Sequence, residues 1–341
     1  MAPSLLKINL QTIHTPNHSF QLQLTRTPFL SLPFPKQNHH PHVHLSFFPS
    51  RTLLYRTKSF SLSIHSSLSS PTPPTTKDEA ILQAKTCLSA ALQKPLNNPI
   101  LTVRALKKLS QPRFQVEIPV SDDSPSSLSQ LAFQVFGESP IRRKGPSVKI
   151  LIIWPNPTLK EAALEVFKSN SPNFVEHLDL SSIDTIVDPR VLNSAEVAVF
   201  LAPEASQVAV MKRVTDSLFP KPVVIFNPGW GFEEESNFGK LSGFVGSFKV
   251  VYSFMGLGVT GVLSNRKGVV FKCVTDGVLS GEKWAIFVEE GGEMKPISKF
   301  KSRPSIAEVE NVLYNVMAIN SPITKSVKFF KDLISNVTGK K

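Results

Sequence analysis

From residue 148 the chain alternates long apolar runs with amphipathic stretches. VKILIIWP (148–155), AEVAVFLAP (195–203) and KPVVIFNPG (221–229) are almost wholly apolar, the pattern of strands covered on both faces. NFVEHLDL (173–180) predicts a further strand. PTLKEAALEVFKSN (157–170) and EASQVAVMKRVTDSLF (204–219) place apolar residues at helical spacing. Asn156 is placed to cap the first of these helices, with Pro157 at its first position. Strand, helix, strand, connection, strand, helix, strand predicts successive crossovers over a parallel sheet, an α/β layered, Rossmann-like fold.

Upstream, DEAILQAKTCLSAALQK (78–94) reads as a helix with Asp78 and Glu79 in its first turn. PILTVRALKKLS (99–110) reads as a second helix or an irregular connection, and RFQVEIPV (113–120) as a strand. The stripe Leu128, Leu131, Ala132 and Val135 predicts another helix. Beyond Gly231 the pattern changes to short strand-like segments divided by glycine-rich turns, an antiparallel meander. SNRKG (264–268) reads as a hairpin turn within it. Two helices follow: one from Ser305, with Ser305 and Glu308 forming a capping box, and an amphipathic one over 322–337.

Charge distribution changes the view of the first quarter. Residues 1–76 hold six Lys or Arg and no acid, and they are rich in Ser, Thr and Pro. That composition is expected of an organelle transit peptide with a Pro/Ser/Thr linker, disordered and removed after import. The shortage of Arg and the many prolines favour chloroplast over mitochondrion. Residues 77–341 then form a single α/β domain. Without the six cations of the leader the formal charge of +12 falls to +6, so basicity is poor support for nucleic-acid binding and none is expected.

The leader also takes seven of the eight histidines, leaving His177 beside Cys87 and Cys273. That set is too small for a zinc centre or an ordinary His-dependent nucleophile system. No cofactor, metal or catalytic residue is therefore assigned. The two cysteines could pair only if the fold brings them together. No apolar run approaches 18 residues, so the expectation is a soluble protein without a transmembrane helix.

A parallel sheet places ligands beyond the C-terminal ends of its strands. The loops there lack the GxGxxG and GxxxxGK[ST] patterns, which argues against an ordinary nucleotide site. The candidate that remains is VVIFNPGWGFEEE (223–235), with Asn227, Gly229, Trp230, Glu233 and Glu234 as residues for a ligand or partner. In one reading Trp230 stacks on a ligand and the acids supply polar groups. In the other, which the sequence favours, Pro228-Gly229 makes a turn and Trp230 packs on the core. The basic stretch KFKSRPS (299–305) reads as a solvated loop.

VEIP (116–119), VKILIIWP, VFLAPEAS, VVIFNPGW, YSFMGL with GVLSNRKGVVFKC, and KWAIFVEE together resemble a plastid and cyanobacterial family of unknown function over about residues 77–315. That family includes the plant low photosystem II accumulation protein three and a domain fused to chloroplast adenylate kinase. The resemblance implies a chloroplast stromal protein with thylakoid or photosystem assembly components as partners. It carries over no catalytic residue. The leading expectation is a non-catalytic binding or assembly factor, and the alternative is an enzyme or nucleotide-like small-molecule binding domain using the crevice at Asn227–Trp230.

Overall fold

The computed structural model describes residues 6–8, 20–24, 71–97, 110–119, 124–138, 141, 147–168, 174–182, 189–260, 265–279 and 283–319. The expected element at 99–110, apart from its last residue, and that at 322–337 lie outside the described residues. The strands are β1 Leu6–Ile8, β2 Phe20–Leu24, β3 Arg113–Glu117, β4 Ile150–Trp154, β5 Val175–Asp179, β6 Val197–Leu201 and β7 Val223–Phe226. They continue with β8 Lys249–Thr260, β9 Asn265–Cys273, β10 Trp284–Glu290 and β11 Glu293–Phe300. The helices are α1 Lys77–Asn97, α2 Pro125–Ala132, α3 Pro157–Lys168, α4 Pro189–Ser194, α5 Val208–Ser217, α6 Ser242–Val245 and α7 Ile306–Ile319.

Nine strands form one path in the order β11-β10-β9-β8-β3-β7-β6-β4-β5. The half from β3 to β5 is parallel, and β8 to β11 is the antiparallel meander. β8 belongs to both: its first residues run parallel to β3, and its remainder pairs antiparallel with β9. The short β2 adds antiparallel to the far end of β8, with β1 beside it. Thr260 pairs with Asn265 and Leu257 with Gly268. Asn265–Gly268 is therefore inside strand β9, and the expected turn does not form at those four residues. The sequence misleads there because Asn and Gly favour turns, a local preference that ladder pairing overrides.

Strand alternation sorts the apolar side chains onto two faces. On the first, Val116, Ile152, Val199, Phe226, Val251, Phe271 and Phe287 belong to one continuous core that α1, α2 and α3 cover. Every strand of the nine-strand path from β10 to β4 contributes to that layer. On the second face the core is in two pieces. Leu151, Phe200, Ile225 and Trp230 pack with α5 and α6 over the parallel half. Val270, Ile286 and Val288 pack with Val309 and Leu313 of α7 over the meander.

A β-bulge aligns the two halves. Gln115 of β3 pairs with Val250, but Val116 pairs with Tyr252, so β8 holds one extra residue, Val251. The extra residue turns Val251 and Tyr252 both into the continuous layer, and it brings Ser253 opposite Glu117.

The segment after β9 returns across α1. Gly277 has φ +72°, and a Cβ there would stand 2.7 Å from the Ala90 carbonyl oxygen in the helix backbone. Both conformation and space therefore require glycine. Gly277→Ala should destabilise the fold by about 1–3 kcal/mol, read as a fall in the urea midpoint at unchanged slope; an unchanged midpoint would refute this tight approach.

Candidate functional site

The carboxyl ends of β3, β6 and β7 meet in two turns that lie against each other. Ala202 leaves β6 with φ 45°, and Asn227 leaves β7 with φ 50°. The Ala202 N–H donates to Phe226 O at 2.7 Å, and the Gly229 N–H to Pro203 O at 2.7 Å. Left-handed geometry costs an alanine about 1–2 kcal/mol, which these docking bonds offset. A Cβ on Gly229 would lie 2.9 Å from Pro203 O, so this glycine permits the approach of the two turns.

Each candidate residue of the turn has a defined place. Asn227 clamps the end of β3: its Oδ1 accepts from the Ile118 N–H at 2.7 Å, and its Nδ2 donates to Ile118 O at 2.8 Å. Trp230 is buried, in edge contact with Phe238 and among the core residues over the parallel half. Glu233 accepts from the Ile306 N–H at 3.1 Å, at the start of α7. There Ser305 and Glu308 form the expected reciprocal capping box. Glu234 is exposed, as is Gly229. The three acids open a run of 3₁₀ turns, Phe232–Leu241, where carboxylates suit the N-terminal dipole.

The strongest electrostatic feature is one that sequence reading passed over. Gln115 and Glu117, two residues apart, point to the second face of the sheet at the junction of its two apolar pieces. Glu117 receives a bidentate pair from Arg303, at 2.8 Å to Oε1 and 3.1 Å to Oε2. Ser253 Oγ donates to Oε2 at 2.6 Å and Gln115 Nε2 to Oε1 at 2.7 Å. Only 9% of the Arg303 side chain and 14% of that of Glu117 are exposed. The guanidinium also sits over Phe232 and Trp284, 4.5 Å and 5.2 Å from the ring centroids. Arg303 is thus a buried partner and not a solvated loop cation.

Burial opposes ionisation of Glu117, but the Arg303 charge and the hydrogen bonds from Arg303, Ser253 and Gln115 together outweigh it and hold its pKa below the ordinary carboxylate value. Glu235 stands in the same group with the opposite balance. Burial raises its pKa and the Glu117 charge adds to the rise; Arg303 and the nearby Trp230 and Gln115 donors only partly oppose it. The Trp230 Nε1 is buried and has no partner of normal hydrogen-bond geometry, although the Glu235 carboxyl lies near enough to feel its N–H.

The polar groups of β5 are paired as well. Asp179 at the end of β5 accepts from Lys160 at 2.7 Å and from Ser181 at 2.6 Å. His177 is packed in the sheet and accepts from Trp154 Nε1 at 3.0 Å. Burial, with the Lys160 charge adding to it, lowers the His177 pKa to about 4. Among the described residues no three His, Cys, Asp or Glu gather as metal ligands, and no helix is long and apolar enough to cross a membrane.

Two measurements test this cluster. Arg303→Met leaves Glu117 buried without its cation and should cost about 3–5 kcal/mol; adding Glu117→Gln should recover part of that loss, so the double-mutant cycle shows coupling. Additive losses in urea unfolding would show that the pair is not coupled. For Glu235 the raised folded-state pKa means that stability is fully present below the ordinary carboxylate pKa and declines as pH rises through the folded value. Glu235→Gln should therefore match the wild type in melting temperature near pH 4 and exceed it at pH 7. Equal melting temperatures at both pH values would show that Glu235 is not strained by its surroundings.

A comparison with curated proteins finds no match. The model of one family matches residues 74–311, well over half of the 341-residue chain, and on that ground the protein belongs to DUF1995, a family defined by a domain of unknown function.

Proposed function

We propose that the protein is a chloroplast stromal binding or assembly factor related to photosystem biogenesis, acting through the outer lip of the strand-end turn. The observation that carries this reading is the internal commitment of the groups a strand-end ligand site would use. Asn227 clamps β3, Gly229 is seated on Pro203, and Trp230 is packed in the core. What the turn offers outward is the exposed rim of Gly229, Glu233 and Glu234, a surface suited to a protein partner. The acid-free composition of residues 1–76 supports the chloroplast location, and its removal would take from the sheet only the short β1 and β2 at the far end of β8. The partners on this reading are thylakoid or photosystem assembly components.

A second reading, a small-molecule or nucleotide-like binding domain, draws on Glu235. A half-buried carboxyl with a raised pKa beside an arginine and an indole N–H is a grouping typical of ligand sites.

One experiment separates the two. The full chain is imported into isolated chloroplasts and recovered by affinity, and both proteins and small molecules in the eluate are identified by mass spectrometry. The assembly reading expects import with removal of the leader, and co-purification of thylakoid proteins that Glu233→Lys with Glu234→Lys reduces at least tenfold. A metabolite without a protein partner, lost in Glu235→Ala, would replace it with the second reading. Failure of import would overturn the location.

A further inference from the structure

Cys87 of α1 and Cys273, the last residue of β9, are 186 positions apart in sequence, yet their Sγ atoms lie 3.3 Å from each other. Both residues are buried in the continuous core. The alignment has definite causes. Cys87 lies on the apolar stripe of α1 with Ala80, Ala84, Leu88 and Ala91, the face that packs on the sheet. Cys273 alternates with Phe271 and Val269 on the same side of β9. The approach of Gly277 to Ala90 sets the helix against the end of that strand.

A third group faces the same point. Tyr252 is the cross-strand partner of Cys273. Its hydroxyl is buried without a hydrogen-bond partner, and its pKa is raised by burial first and then by the neighbouring Cys273 and Cys87. A phenol left unpartnered beside two touching thiols is costly in a plain core. Alanine or valine in place of either cysteine would pack there without polar atoms.

We propose that Cys87 and Cys273 are a dithiol–disulfide site, a reversible covalent staple between α1 and the meander. Closing it removes two electrons and two protons from the thiols. With hydrogen peroxide as oxidant, one sulfur attacks a peroxide oxygen, the O–O bond breaks and water leaves, giving a sulfenic acid. The second sulfur attacks the first, the S–O bond breaks and a second water leaves with the remaining proton. Two thiols and one peroxide thus give one disulfide and two waters. The sulfurs need to draw together from 3.3 Å to about 2.05 Å, a movement that side-chain rotation and a slight shift of α1 can supply. A small uncharged oxidant suits so enclosed a pair. A dithiol reductant reopens it by exchange, taking up the disulfide as its own.

The wild-type full chain provides the main test, in which the joined peptides are read without any variant. Reduced protein is treated with hydrogen peroxide, or separately with a small disulfide, then denatured, labelled with a maleimide, digested and analysed by mass spectrometry. The expected result is a joined pair of peptides containing Cys87 and Cys273, loss of maleimide labelling at both, and full recovery of labelling after dithiothreitol. The oxidised protein should melt roughly 5–15 °C higher. Cys273→Ala should show no such rise with peroxide. Complete labelling after both oxidants would overturn the proposal, as would sulfinic acid at one cysteine without a joined peptide, or joining only between separate chains.

Discussion

The buried pair of Glu117 and Arg303 is the contact on which the arrangement of the second face depends. A carboxylate removed from water is expensive unless it is paired and its remaining lone pairs are met. Here the bidentate guanidinium, Ser253 and Gln115 meet them together. The pair sits where the apolar cover of the parallel half ends and that of the meander begins. Arg303 lies just before α7, which covers the meander; Glu235 and Trp230 come from the segment that covers the parallel half. One polar knot thus ties both covers to the central strand β3.

The bulge at Val251 makes that knot possible. Side chains on a strand alternate with a period of two, so a shift of one residue exchanges faces. In even register Tyr252 would stand opposite Glu117, and a phenol would occupy the place of the Ser253 hydroxyl. The extra residue instead sends Tyr252 to the opposite layer, where it meets Cys273. The polar seam on one face and the thiol contact on the other therefore share one local irregularity.

The parallel half was legible in the sequence because strands such as ILIIW, VAVFL and VVIF are covered on both sides and show no polar alternation. The capping box at Ser305 was legible because it is local. The seam was not. In RFQVE the alternate polar residues look like those of a strand with one wet face, and Arg303 looks like one cation in a basic loop. A polar residue carries the same letter whether it faces water or a partner 186 positions away. The turn at Asn227–Trp230 was visible as a turn, but the roles of Asn227 as a clamp and Glu235 as the inward-facing acid depend on which strands are neighbours, which no local pattern states.

The first face of the sheet has a further meaning for how this chain is divisible. Its apolar layer passes without interruption beneath α1, α2 and α3 from the meander to β4, although the topology changes from antiparallel to parallel along the way. A cut between Val245 and Lys249 would look natural on the second face, but on the first it would split a single core and leave each fragment with a wide oily surface. The parallel sheet and the meander are consequently not modules that can be exchanged or expressed separately. They make one cooperative unit, and any fusion or insertion that the fold tolerates belongs at its ends or turns.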